Sequence, residues 1–239
     1  MERIAFILMA AMLLALSCAK EGKQKENQPE ESGLPVIIDG SFEDWEALSG
    51  SSDVYVAKNA LDSQWPAVKE MRVYAIADKV FYYVRFDSIE MEPYMEENDD
   101  LPMRINLNTD GEFTTGYSNY FTQCYDFMIE GSLGNGEGGW ASFDGTLYQR
   151  IDGKWVDLLA SGSGLVSGAG TGYQYEMVLD RLVFNEAADK SEAPMPMRDT
   201  FQTSLRFYET SSTGKWVELS NIPNTSEGYG PLLEVNFAK

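Results

Sequence analysis

Beyond Leu34 the chain is a succession of short apolar or alternating runs, each closed by Gly, Asn, Asp or Pro. That rhythm restricts it to short strands joined by tight turns. Pro35–Ile38 stops at Asp39-Gly40. Met71–Ala77 stops at Asp78-Lys79, and Val80–Phe86 follows at once, which predicts a hairpin. Arg104–Asn108 ends at Asp110-Gly111, and Cys124–Glu130 gives way to a glycine-rich stretch read as a loop. Leu147–Ile151 and Lys154–Leu158 flank Asp152-Gly153, the clearest hairpin signal. Tyr173–Leu179, Phe201–Tyr208, Trp216–Leu219 and Leu232–Phe237 complete the set. Only Arg181–Ala188 reads as a short helix. Strands at this spacing predict an all-β, antiparallel β-sandwich in a single domain over residues 34–239. An aromatic content of 13% suits both strands and contact surfaces.

The opening of the chain has a different character. Ile4–Leu16 is apolar throughout, too short for an ordinary transmembrane helix but suited to a signal-peptide core. The run leads through Ser17 directly to Cys18 and resembles a bacterial lipoprotein signal. The resemblance implies cleavage after residue 17 and lipidation of Cys18. Residues 18–33 then carry the lipidated Cys and a Lys/Glu/Gln-rich tether with no apolar period, a composition that does not order itself. The expected location is outside the cell, lipid-anchored in the outer membrane of a Gram-negative bacterium.

Charge and composition narrow the function. The formal net charge is -20, with 38 acidic residues against 18 basic. Nucleic acid is therefore an unsuitable partner, since its binding rests on Lys and Arg neutralising phosphates. The chain has no His, so the usual Ser-His and Cys-His nucleophile pairs are absent. If Cys18 is lipidated, Cys124 is the remaining thiol; it is read as a small buried side chain in a strand. The expectation is a protein that is not an enzyme.

Ile38-Asp39-Gly40-Ser41-Phe42-Glu43-Asp44-Trp45 resembles the opening of family 9 carbohydrate-binding modules and their DOMON-like relatives. Tyr74–Phe86, Ile105–Asp110 and Tyr175-Glu176-Met177-Val178-Leu179 resemble later strands of that family, in order. The resemblance implies an antiparallel β-sandwich and non-catalytic sugar binding, with calcium in some members.

Trp45 is read as structural, capping the core, and Asp39 as the residue that fixes the first turn. Trp140, after the glycine-rich stretch, is a candidate glycan-stacking residue; the alternative is that it starts the next strand and packs inward. Tyr117, Asn119 and Tyr120 interleave aromatic and amide groups and are further candidates, against the alternative of a strand edge covered by tyrosines. Trp65 is a similar candidate. Trp155 and Trp216 lie in two matching turns, each closing on Gly-Lys-Trp-Val, and are read as cross-strand packing. Asn108 and Asp110, within Asn106–Gly111, imitate the start of a calcium loop, but the twelfth position is Tyr117 rather than Glu. Asp99-Asp100 after Glu96-Glu97 is a second acidic run with oxygens that could hold calcium, against the preferred reading of a solvated loop.

The leading expectation is a surface-anchored lipoprotein that binds a glycan or polysaccharide. The alternatives are a structural or assembly lipoprotein bound to another outer-membrane protein, and a glycoside hydrolase working with two carboxylates.

Overall fold

A computed structural model describes residues 34–59, 67–120, 123–136, 139–171, 173–225, 228–229 and 232–238. In chain order the elements are α1 (Glu43–Ala47), β1 (Val54–Lys58), β2 (Val68–Ile76), β3 (Lys79–Phe86), α2 (Ser88–Glu97), β4 (Asp100–Asn108), β5 (Tyr117–Tyr120) and β6 (Gln123–Tyr125). They continue with β7 (Phe127–Gly136), β8 (Gly139–Ile151), β9 (Lys154–Leu159), β10 (Val166–Thr171), β11 (Gln174–Asp180) and α3 (Arg181–Asp189). The last are β12 (Thr200–Thr210), β13 (Trp216–Ile222), β14 (Asn224–Thr225), β15 (Gly228–Tyr229) and β16 (Leu233–Asn236).

The smaller main sheet runs β1-β2-β3-β11-β10 and the larger runs β13-β12-β4-β7-β8-β9, with β16 also paired to β12. All of these ladders are antiparallel. The two sheets pack face to face. Phe86 of β3 meets Phe207 of β12 edge-on, with ring centroids 5.5 Å apart. The Tyr82 hydroxyl and Thr203 Oγ1, also on β3 and β12, lie 3.1 Å apart inside the core. The predicted β-sandwich is the observed architecture.

Period-two alternation sorts each strand between core and outer face. On β4, Leu101, Met103, Ile105 and Leu107 enter the core; on β12, Phe201, Thr203, Leu205 and Phe207 do so. The residues between them, Arg104, Asn106 and Asn108 on β4 and Gln202, Ser204, Arg206 and Tyr208 on β12, face outward. The β8–β9 hairpin has the expected turn: Asp152 at φ 47° and Gly153 at φ 75° are both left-handed, as a tight two-residue turn demands.

The N-terminal segment covers the outer face of the smaller sheet. Trp45 is 1% exposed and rests against Tyr83, ring centroids 5.6 Å apart. Beneath it, Glu176 of β11 accepts hydrogen bonds from the Asp39 and Gly40 N–H groups on Oε1 (2.9 and 2.8 Å) and from Trp45 Nε1 on Oε2 (3.1 Å). The Asp39 carboxylate accepts from the Ser41 N–H at 2.8 Å, which holds the turn as expected. The Ile-Asp-Gly…Trp segment and the Tyr-Glu strand, far apart in sequence, are therefore one buried joint. Burial pushes the Glu176 carboxyl up to about 7, and the three donors pull only part of the way back.

Several local expectations change. Pro35–Ile38 forms no strand; the Ile37 N–H bonds to the Asp44 carboxylate instead. The acidic run Glu96–Asp100 is not one loop: Glu96 and Glu97 end α2, and Asp100 opens β4. Pro93 inside α2 hides that helix in the sequence, but Asp87 caps it by accepting from the Ile89 and Glu90 N–H groups. The expected helix at Arg181 is α3, capped in the same way by Asp180. The glycine-rich stretch read as a loop is instead the end of β7 and the start of β8. Gly131 and Gly145 stand opposite one another there, where neighbouring backbone passes too close for side chains.

Candidate functional site

The outer face of the larger sheet collects arginines and aromatic rings. Strand register shows how. Arg206 on β12 lies opposite Arg104 on β4, which lies opposite Glu130 on β7. Ser204 lies opposite Asn106, then Met128, then Tyr148 on β8, in the neighbouring row. At one corner Trp216 of β13 packs on Tyr208, ring centroids 5.5 Å apart. The Arg104 guanidinium sits 4.7 Å from the Tyr208 ring centroid and 5.5 Å from that of Trp216. Its Nε donates to Glu130 Oε2 at 2.6 Å and its Nη1 to the Tyr208 hydroxyl at 3.2 Å. This guanidinium already has an acid partner, Glu130.

The opposite corner is built differently. Arg150 of β8 pairs with Trp155 of β9 across the Asp-Gly hairpin. The β5–β6 hairpin folds over them and brings in Tyr117 and Tyr125. The rings of Tyr117, Tyr125 and Trp155 form a triangle with centroid separations of 5.5, 5.7 and 5.8 Å. The Arg150 guanidinium lies 5.2 Å from the Tyr117 ring and 5.4 Å from the Trp155 ring. Tyr125 is buried, whereas Tyr117, Trp155 and Arg150 keep part of their surface in solvent. Among the described residues, Arg150 makes no ion pair.

Between the corners the face is polar and covered. Arg206 is 1% exposed, with its guanidinium 5.5 Å from the Tyr125 ring and Nη1 3.4 Å from Glu218 Oε2. Asn106 Nδ2 donates to Ser204 Oγ at 3.1 Å. Asn106 Oδ1 and Gln202 Oε1 are buried without a hydrogen-bond partner among the described residues. Leu232 packs with Tyr125 and Met128 over this middle. Burial pushes the Tyr125 and Tyr208 phenols up, so both stay neutral at physiological pH.

The turn that carries Tyr117 depends on Gly116. Its φ is 76°, and a Cβ there would stand 2.5 Å from the Tyr125 carbonyl oxygen and 2.7 Å from Asp126 Oδ1. Gly116→Ala is expected to destabilise the fold by about 2 kcal/mol through the left-handed backbone and the collision. Thermal unfolding should register that loss, and Trp155 fluorescence should report displacement of the hairpin.

The candidates from the sequence fall in several places. Tyr117 joins the second corner, but it, Asn119 and Tyr120 lie in strand β5 rather than a loop. Trp140 lies in β8 opposite Asn135, at the far end of that strand from Arg150. The surroundings of the Asn119, Tyr120 and Trp140 side chains, and the whole of Trp65, lie outside the described residues. Asn108 Oδ1 accepts from the Gly111 N–H, and the Asp110 carboxylate accepts from the Glu112 N–H and the Thr115 hydroxyl. These bonds close the Asp-Gly turn at the end of β4. Among the described residues, no three carboxylate or thiol side chains gather to hold a metal. Cys124 is buried in β6, its Sγ facing the Phe113 carbonyl at 2.7 Å. Trp155 and Trp216, read from the sequence as cross-strand packing, do pack on Tyr125 and Tyr208, and the arginines beside them were not among the candidates. The one sequence signal was the repeated Gly-Lys-Trp-Val turn, which places a half-buried Trp on the same face of the sheet both times.

The fold class is thus an antiparallel β-sandwich with an aromatic and arginine-lined outer face. No protein-family model matches the chain, and no curated protein matches it. Among solved structures, a chain described as a "putative carbohydrate-binding protein" from Bacteroides uniformis ATCC 8492 aligns with a TM-score of 0.42 at 9% identity. The alignment covers 85% of this chain and 94% of that one.

Proposed function

We propose that this chain is a lipid-anchored, non-catalytic glycan-binding protein whose sugar lies against the β8–β9 corner of the larger sheet. Cys18 carries the lipid, residues 19–33 form the tether, and the sandwich stands outside the outer membrane. One observation carries the reading: Tyr117 and Trp155 stand 5.8 Å apart, partly exposed, around a guanidinium that has no acid partner among the described residues. A ring face stacks on the apolar C–H face of a sugar, and a guanidinium fork donates to its oxygens. The rings are held from behind by buried Tyr125, so little conformational freedom is lost on binding.

The test is calorimetric titration of the purified protein against soluble glycans, with Trp155→Ala and Trp140→Ala measured beside the parent. Trp155→Ala is expected to weaken binding about tenfold or more, while the fold survives with a lowered unfolding temperature from the lost packing on Tyr125. Full binding by Trp155→Ala, with loss in Trp140→Ala, would move the site to the other end of β8 and end this assignment.

A further inference from the structure

We propose that the glycan is acidic, carrying a uronate carboxylate, and that Arg150 is the group that reads it. The inference rests on the glycan-binding reading above and sharpens it to a substrate class.

The distribution of arginine partners carries the argument. In a chain of net charge -20, carboxylates are abundant and arginines are soon paired. Arg72 bonds Glu70 at 2.7 Å, Arg104 bonds Glu130, Arg181 bonds Asp199 at 2.8 Å, and Arg206 faces Glu218 at 3.4 Å. Arg85 lies 4.0 Å from Glu70. Arg198 Nη1 donates to the Asp110 carbonyl oxygen at 2.6 Å. Arg150 has neither an ion pair nor a side-chain hydrogen bond among the described residues, although Asp157 lies on the adjacent strand β9 and the Asp126 carbonyl accepts from the Arg150 backbone N–H. It is held instead by the faces of Tyr117 and Trp155.

A site for a neutral sugar needs ring faces and a few hydroxyl partners. It does not need a full charge set between two rings, where water access is reduced and the unpaired cation costs solvation. A carboxylate on the sugar removes that cost. It takes the guanidinium fork through two parallel N–H bonds while its ring stacks on Trp155. The protein's overall negative charge opposes an anionic polymer at long range. At physiological salt that field is screened beyond about 8 Å, and the contact at Arg150 decides.

The experiment compares polygalacturonate, alginate and hyaluronate with the same polymers after reduction of their carboxyl groups to alcohols, by calorimetry at physiological salt. At least one acidic form should bind about tenfold or more tighter than its reduced form, as expected for a charged hydrogen-bonded pair. Arg150→Gln should bring the acidic form down to the level of the reduced one, with the same unfolding temperature as the parent. Arg150→Lys, which keeps the charge without the fork, should recover only part. Equal binding of acidic and reduced forms, or a preference that survives Arg150→Gln, overturns the carboxylate assignment and leaves glycan binding standing. Binding confined to neutral glycans does the same. No binding to any glycan, acidic or neutral, removes both.

Discussion

Glu176→Ala is expected to lower the stability of the fold by about 4 kcal/mol, because it strips the acceptor from three donors in a buried joint. The Asp39 and Gly40 N–H groups and Trp45 Nε1 all point at this carboxylate, and Glu176 is wholly buried. Among the described residues, Glu176 Oε2 is the acceptor of the indole N–H. In a domain of this size the loss corresponds to roughly 8–16 °C in unfolding temperature. Glu176→Gln is a milder variant: its carbonyl can still serve Asp39 and Gly40, while its NH2 faces the indole N–H and repels it. Circular dichroism melts of the parent and both variants check the order.

The same residue sets a pH dependence. Its carboxyl lies near 4.5 when unperturbed and is pushed up to about 7 in the folded protein by burial. Between those values the folded state binds more protons than the unfolded state, so this contribution is fully present at low pH and is lost as pH rises to about 7. Asp126, pushed up to about 6 by burial and by the nearby charge of Asp110, acts with the same sign. Chemical unfolding of the parent at intervals from about pH 5 to pH 8 should therefore show a component that declines with pH. In Glu176→Ala the decline should flatten, leaving the Asp126 part. An unchanged slope in the variant would mean that the donors hold Glu176 ionised throughout.

Gly131→Ala is expected to cost about 3 kcal/mol, the upper part of the range for overfilled cores. A Cβ at Gly131 would collide with the Asp144 carbonyl oxygen, a backbone atom of the neighbouring strand, and would approach the Phe143 ring to 3.0 Å. Neither strand can yield freely, since β7 lies between β4 and β8, and β8 between β7 and β9. The backbone must separate where the ladder is tightest. A denaturant midpoint equal to that of the parent would show that β7 and β8 can spread without penalty. Gly134→Ala is the control, because a Cβ there meets only Ser142 Oγ, at 3.6 Å.

How much of this was legible differs by residue. The β8–β9 hairpin was plain from Asp152-Gly153, because both positions need left-handed backbone and that demand is local. Trp45 and Asp39 were read as structural, and the buried joint agrees. The glycines of β7 and β8 were misread, since Gly marks both a turn and a close approach of backbones, and only the neighbouring strand distinguishes them. Trp155 and Trp216 were read as packing residues, which is half true: each packs on a tyrosine and leaves part of its ring in water.

By itself the sequence determined the class of fold, most strand positions and the tight turns. These depend on alternation, turn residues and capping groups within a few positions of one another. Only the tertiary structure decided what lies on the outer face of the larger sheet. Tyr117 reaches Arg150 because the β5–β6 hairpin folds over β8. Arg206 reaches Arg104 because β12 returns beside β4 after seven intervening strands. Such meetings follow from which strands pair and in what register, an outcome set by packing the whole core. No local stretch of the chain encodes it.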